Sequence, residues 1–381
     1  MEKRTLTRLE QTLPSHYYYD PAHHQRELEA FWYQSWLCVG RGCELADSGD
    51  YRVVHVGDQS VIITRNANGE LKAFYNTCRH RGSVLCEHTQ GRFTGGRIVC
   101  PYHAWTYTLD GKLSKTPWRL ESDDFDATTY SLYQVATGEW AGFIFINLAP
   151  TPRTTLDEAL DDMPELFYNW GLESARGGHR SSRVLQCNWK VFWENYGECY
   201  HCPGVHPELC QIVPQYGKGW VSPSDAPEWK QEDDPDAGPE PRLAPGAVTW
   251  SDDGKTQLPW FQGLNEAQQN AGHTYGTLLP SCFVVTHVDY VRVVYLLPQG
   301  PEQTRLTVDW LFPADTLSNP DIDIGPALKF GQRVVDQDAR VCELNQKGLH
   351  CDRFEAGVLA PQEYYVRDFQ RWVRAGLGES L

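Results

Sequence analysis

Cysteine and histidine stand in two close pairs, Cys78-Arg-His80 and Cys100-Pro-Tyr-His103, with 19 residues between His80 and Cys100. A zinc finger usually groups two cysteines and then two histidines. The mixed order here fits a Rieske [2Fe–2S] centre, in which one iron takes two Cys and the other two His. Each loop then supplies one ligand to each iron. Imidazoles in place of two thiolates raise the potential to about −150 to +300 mV, which suits a relay between a ferredoxin-like donor and an Fe/O2 site. Such a site is the second constellation. In Asn188-Trp-Lys-Val-Phe-Trp-Glu-Asn-Tyr-Gly-Glu-Cys-Tyr-His-Cys-Pro-Gly-Val-His206, the residues Glu198, His201 and His206 stand three and five apart. Two imidazoles plus a carboxylate from elsewhere make the facial triad that holds non-haem Fe(II) with positions open for O2.

These residues need scaffolds of two kinds. The spacing around His201 predicts a helix that carries this histidine near its end and breaks at Pro203-Gly204, before His206. Upstream, Asp20 before Pro21 predicts a helix start, with an apolar stripe through Leu28, Phe31, Trp32 and Trp36. Residues 1–44 read as an N-terminal helical segment of the catalytic body. Over 45–150 short β-type runs such as Tyr51–Val56, Ser60–Thr64 and Gly142–Asn147 alternate with turns like Asn66-Ala-Asn-Gly69, so this is a small all-β domain. After the Pro-Thr-Pro-Arg boundary, residues 155–381 mix helix at 156–166 with strands at 183–187, 282–286, 290–296 and 305–311. A long helix from about Pro326 carries Asp336, Asp338 and Glu343. Residues 222–259, with Gln231–Gly238 at their heart, are acidic and rich in Pro and Gly, and read as a long mobile loop or lid.

Composition narrows the function classes. At 381 residues the chain is long enough for two or three domains. The net charge of −16 argues against nucleic acid or an anionic membrane as main partner. No apolar run reaches membrane-spanning length and no secretory signal is visible, so a cytoplasmic protein is expected. No Gly-x-Gly-x-x-Gly or Gly-Lys-Ser/Thr loop follows a strand, which removes those nucleotide-binding routes. Twelve cysteines are too few for a disulfide scaffold. Cys199 and Cys202 flank His201, but soft thiolates there would favour zinc or a cluster over an oxygen-activating iron, so they are expected to be packed thiols.

With both metal signatures in place, nearly the whole chain resembles the α subunit of a Rieske non-haem iron oxygenase. The resemblance implies an α+β architecture: an all-β Rieske domain inserted into a helix-grip (Bet v1-like) catalytic domain with an antiparallel sheet and a long C-terminal helix. It assigns the cluster to Cys78, His80, Cys100 and His103, and the iron to His201 and His206. The segment Val335-Asp-Gln-Asp338-Ala-Arg-Val-Cys-Glu343 resembles the family's C-terminal ligand segment and selects Asp338 as third ligand over Asp336. The interval between the cluster pairs is slightly longer than usual, which implies a small insertion around Gln90–Gly96. In the family an acidic residue bridges a cluster histidine of one subunit to an iron histidine of its neighbour in a head-to-tail homotrimer. By position this is Glu198, facing His103. Asn195 and Tyr200 are expected to line or support the iron site. A separate NAD(P)H-dependent reductase is implied, with O2 and a small molecule as substrates.

One departure bears on that small molecule. Arene dioxygenases of the family carry Asp at the bridge, where this chain has Glu198. The run Glu194–Leu209 resembles most the branch acting on quaternary ammonium compounds, which includes choline monooxygenase, carnitine oxygenase and the betaine demethylases. A trimethylammonium group attracts ring faces, since it cannot donate hydrogen bonds. Trp193, Tyr216, Trp220, Trp250, Trp260, Phe261 and Tyr275 are the candidates near the iron segment or the loop. An arene oxygenase or other demethylase on the same scaffold is the alternative, and a Rieske electron carrier without oxygen chemistry the remote one.

Overall fold

A computed structural model describes residues 5–227 and 241–379. The heart of the expected loop, Gln231–Gly238, lies outside the described residues. The chain folds as two compact units, one of residues 31–161 with 279–281 and one of residues 1–30, 162–278 and 282–381.

The first unit is all β. Seven strands form one antiparallel sheet in the spatial order Leu37–Arg41, Phe143–Asn147, Gln134–Trp140, Leu71–Tyr75, Gln59–Arg65, Asp50–Val56, Gln90–Arg92. A continuous apolar run marks one of its inner strands. In Gln59–Arg65 the residues Val61, Ile62 and Ile63 are all buried, as a strand covered on both faces requires. A second, three-stranded sheet of Arg97–Val99, Thr106–Thr108 and Leu113–Lys115 holds the second Cys/His loop at its first turn. Residues Gln90–Arg92, inside the expected insertion, form the edge strand beside Asp50–Val56.

The second unit is α+β. Its five-stranded antiparallel sheet runs in the order Arg176–Leu185, Gln303–Phe312, Val291–Gly300, Cys282–His287, His273–Leu278. The helix Gly325–Gly348 lies along this sheet with Ala327, Phe330, Val334, Val335, Ala339 and Cys342 buried, a stripe of helical period. They approach closely at Gly331: a Cβ there would sit 3.0 Å from Trp310 Nε1 and 3.4 Å from Arg292 Cδ, both on the sheet. The expected single helix over 156–166 is two short ones, Leu156–Leu160 and Met163–Leu166, separated at Asp161 by a backbone φ of 50°.

The N-terminal helix begins as expected. Asp20 accepts from the Ala22 and His23 amides, and Pro21 occupies the first position of the helix Pro21–Glu27. Its last residue, Glu27, is fully buried against Lys190 at 2.5 Å and accepts from Trp189 Nε1 at 2.8 Å. That ion pair fastens the N-terminal helix to the helix Trp189–Tyr196, which leads into the iron segment. Residues 241–259 contain no helix or strand, yet the expected mobility does not extend to them. Thr249, Trp250 and Leu258 are buried, and Tyr290 donates to the Trp250 carbonyl at 2.9 Å.

Candidate active site

In the β unit the two Cys/His loops are tight turns closed by their own backbones. Gly82 N–H donates to the Cys78 carbonyl and Cys78 N–H to the Ser83 carbonyl. In the other loop, Cys100 N–H donates to the Trp105 carbonyl and Ala104 N–H to the Cys100 carbonyl. Gly82 takes φ +75°, a left-handed conformation open to glycine. The result sorts the ligands by depth. Cys78 and Cys100 are buried free thiols, while His80 is exposed and His103 half-buried. The imidazole centroids lie 4.7 Å apart. Burial raises the Cys78 thiol above its ordinary value, so this sulfur needs a metal to become a thiolate at neutral pH. Two thiols inside and two imidazoles at the rim are the donor set of a [2Fe–2S] cluster with histidine edges facing outward.

Trp105 stacks on His80 with centroids 4.8 Å apart. Sequence reasoning did not find Tyr107. This hydroxyl lies 3.2 Å from Cys78 Sγ and accepts the Arg79 amide N–H at 3.1 Å. Accepting from Arg79 leaves its own proton for the sulfur. Alternation along Thr106–Thr108 could have flagged Tyr107 as inward-facing, but not what it meets.

In the catalytic unit the helix Trp189–Tyr196 ends earlier than the spacing predicted, at Gly197. His201 therefore lies beyond it, and Pro203 and Gly204 sit within a second short helix, Cys202–Val205, instead of breaking the first. The reason is local. The Glu198 carboxylate accepts the amides of Tyr200 and His201, which stabilises a turn where a helix would otherwise continue. Cys199 and Cys202, expected as packed thiols, are joined in a disulfide across the same turn, their Cα atoms 4.9 Å apart.

This turn and the helix Gly325–Gly348 bring His201, His206 and Asp338 together, with one ligand atom of each within 4.8 Å of the others. His206 Nε2 lies 2.8 Å and His201 Nε2 3.4 Å from the same oxygen, Asp338 Oδ1. The side chains are 2%, 17% and 21% exposed for His206, His201 and Asp338. Burial alone would depress His201, but the Asp338 and Glu198 carboxylates outweigh it and raise it to about 10. Burial works to raise Asp338, and the two histidines outweigh that and hold it below the usual carboxylate range. Three groups thus converge on one point that a divalent cation could occupy. Asp336, the rejected neighbour, pairs with Arg183 at the surface.

The far nitrogens are also engaged. His201 Nδ1 lies 2.6 Å from Glu198 Oε1, and His206 Nδ1 lies 2.8 Å from Gln337 Oε1. Gln337 Nε2 in turn donates to Glu208 at 3.3 Å. Such partners fix which nitrogen faces the metal. Gln337 was visible only as the amide that precedes Asp338. Asn195 Nδ2 touches both ring nitrogens of His201 at 3.4 and 3.5 Å, at the outer limit of hydrogen bonding. Tyr200 is 58% exposed. Of the aromatic candidates, Tyr216, Trp250 and Tyr275 come together: Tyr216 and Tyr275 share a hydroxyl contact of 2.8 Å, and the Tyr216 and Trp250 rings are 6.2 Å apart. Tyr216 and Trp250 share one apolar cluster with the Cys199–Cys202 turn, Phe330 and Val334. Trp193 packs instead on Tyr196 and Phe283.

Comparison with known proteins agrees with this geometry. Residues 172–379 match the ring hydroxylating alpha subunit (catalytic domain) family, and residues 35–126 the Rieske [2Fe-2S] domain. The chain is 32% identical to the glycine betaine monooxygenase oxygenase subunit of Chromohalobacter salexigens, over 95% of this chain and 84% of that one. It superposes on the quaternary ammonium Rieske monooxygenase CntA in complex with L-carnitine with a TM-score of 0.71 at 25% identity, covering 97% and 96% of the two chains. It shares its fold with naphthalene 1,2-dioxygenase from Rhodococcus sp., with a TM-score of 0.70 at 19% identity over 97% and 95%. The chain belongs to the ring-hydroxylating oxygenase α-subunit family, an enzyme of the Rieske non-haem iron class that carries a [2Fe–2S] cluster and a mononuclear iron.

Proposed function

We propose that this chain is the terminal oxygenase component of a quaternary ammonium oxygenase, oxidising an N-methyl carbon of a betaine-type substrate. In this reading Cys78, His80, Cys100 and His103 hold the cluster, and His201, His206 and Asp338 hold the iron. When bound, the cluster supplies single electrons and the iron supplies O2 activation. The balance is simple. O2, two electrons and two protons convert N–CH3 to N–CH2OH and water, and the hydroxymethyl cation then collapses to tertiary amine, formaldehyde and a proton. Glu198 and Gln337 orient the two iron histidines through their Nδ1 atoms.

The observation that carries the substrate class is the near full-length similarity to a glycine betaine monooxygenase oxygenase subunit. The aromatic group of Tyr216, Trp250 and Tyr275 beside the iron segment supports it, because ring faces attract a cation. An arene site would be walled by aliphatic side chains. The same reading includes a head-to-tail homotrimer in which Glu198 also meets His103 of the partner subunit. It also includes a separate NAD(P)H-dependent reductase and a cytoplasmic setting. The outward-facing histidine edges of the cluster suit both exchanges.

Oxygen uptake by the reduced, iron-loaded protein tests the proposal, against choline, carnitine, glycine betaine and simple arenes, with formaldehyde and peroxide assayed in parallel. We expect uptake matched by formaldehyde with a betaine-type compound. Coupled oxidation of an arene and no quaternary amine would overturn the substrate assignment.

A further inference from the structure

The strand pairing places a row of side chains across the catalytic sheet. Tyr275 pairs with Val285, Val285 with Arg292, and Arg292 with Trp310, so all four project from one face. The adjacent row on this face holds the pair His273 and His287. This is the face on which the helix Gly325–Gly348 lies, since Gly331 closes on Arg292 Cδ and Trp310 Nε1. Seven residues separate Gly331 from Asp338. Two helical turns carry the same helix face about 10 Å, from the Arg292 stem to the iron carboxylate.

Arg292 is only 5% exposed and, among the described residues, its side chain makes no hydrogen bond or ion pair. Its Nε is buried without a partner. The acids near it are engaged elsewhere. Asp289 accepts from Thr249 at 2.6 Å, and Asp309 is bound by Arg180 from the opposite sheet face. The guanidinium lies 5.1 Å from the Trp250 ring centroid. A cation–π contact stabilises it, but by less than burying an unpaired charge costs.

The neighbours do not supply the missing acceptor. Among the described residues Trp250 Nε1 and Trp310 Nε1 are both buried without partners, and an indole nitrogen can only donate. Neither ring nitrogen of His287 nor Nδ1 of His273 makes a hydrogen bond of good geometry, although the backbones of Gly272 and Ala271 pass close by. Burial keeps both histidines neutral at physiological pH, holding His273 down to about 4. Among the described residues, one wall therefore gathers a buried cation and two orphaned donors with no anion. What such a wall lacks is a group rich in acceptors and negatively charged.

We propose that Arg292, with the indole N–H of Trp250 beside it, is the anchor for the carboxylate of the zwitterionic substrate. This rests on the betaine reading above and narrows it, from quaternary amines in general to those that carry an acid. The cationic head lies toward Tyr216 and Tyr275 and the iron ligands. The acid end lies toward Arg292, so the N-methyl carbon meets the iron while the charge of each end is matched. Choline, with a hydroxyl in place of the acid, offers no charge to this wall. Arg292 is thus a specificity-determining residue, separate from the groups that hold the metals.

The test compares glycine betaine with its methyl ester and with choline, on the reduced, iron-loaded protein. Wild type should prefer the acid about 10- to 100-fold in kcat/KM over the ester, whose carboxyl end carries no charge, which is what a charge-assisted hydrogen bond contributes. Arg292→Met should remove that preference, mostly through KM, and Arg292→Lys should restore part of it. Equilibrium dialysis of glycine betaine against the variant gives the same comparison without turnover. The visible spectrum of the cluster and the melting temperature report whether the variant folds, and if it does not, the wild-type ester series decides. Equal handling of acid and ester by wild type would overturn the anchor and leave the amine reading standing, as would an unchanged preference in a folded Arg292→Met. Failure of wild type to oxidise any quaternary amine, with another substrate turned over, would overturn both.

Discussion

The two proposed metal-ligand sets of this chain solve opposite problems. In the β unit the ligands lie on short turns at the surface, with sulfurs buried and imidazole edges turned out. Few side chains constrain them beyond Trp105, Tyr107 and Arg81, the last of which lies 2.9 Å from His103 Nε2. In the catalytic unit the ligands are interior, and both far nitrogens are tied to Glu198 or Gln337. An electron relay needs an edge that partners can reach, and backbone turns can build one from adjacent residues. A site that activates O2 has to exclude water and orient a substrate. It therefore draws on residues far apart in the chain, with supports that reach deep into the fold.

Variants can break or sharpen this contrast. The largest effect is expected for Asp338→Ala. Oxygen uptake should fall to background while the visible and EPR signals of the cluster persist. Loss of the cluster signals together with activity would show that the two sites do not load independently.

Next comes the scaffold of the interior site. Lys190→Met strands the buried Glu27 carboxylate, which should cost about 3–5 kcal/mol in chemical denaturation. A change below 1 kcal/mol would mean that the pair does not fasten the N-terminal helix. On the same helix, burial raises Glu194 from 4.5 to about 7. A carboxyl group with a raised folded value stabilises the fold below pH 4.5 relative to higher pH. That contribution is lost as pH climbs through about 7. Glu194→Gln should flatten this limb of the stability profile, and an unchanged slope would refute the assignment.

Smaller effects should separate the supports of the two sites. Gln337→Leu leaves His206 Nδ1 without its acceptor and should weaken iron retention about 10- to 100-fold in chelator competition, with cluster spectra unchanged. Tyr107→Phe removes a hydroxyl contact from Cys78 and should lower the one-electron cluster potential by about 40 mV, the equivalent of a hydrogen bond of about 1 kcal/mol. Iron retention should not change. A shift in the iron site of this variant would contradict the separation drawn above.

Residue order alone determined a good deal. The candidate cluster set could be named because its four residues sit within two short loops, and thiolate–imidazole order carries its own chemistry. The strands and the long helix were legible from apolar periodicity, and Asp20-Pro21 marked a helix start because capping is a local event. His201, His206 and Asp338 were nameable from motif and resemblance, and so was Glu198. The end of the helix at Gly197 was not, because it depends on one carboxylate turning back on two amides. The Cys199–Cys202 disulfide escaped for a related reason: spacing permits a bridge but only turn geometry brings the sulfurs together. Gln337, Tyr107 and the Arg292 wall belong wholly to tertiary structure. Each acts on a residue from another element, and a side chain's role as partner, orphan or anchor exists only once the sheet register and the helix approach have set what lies opposite it.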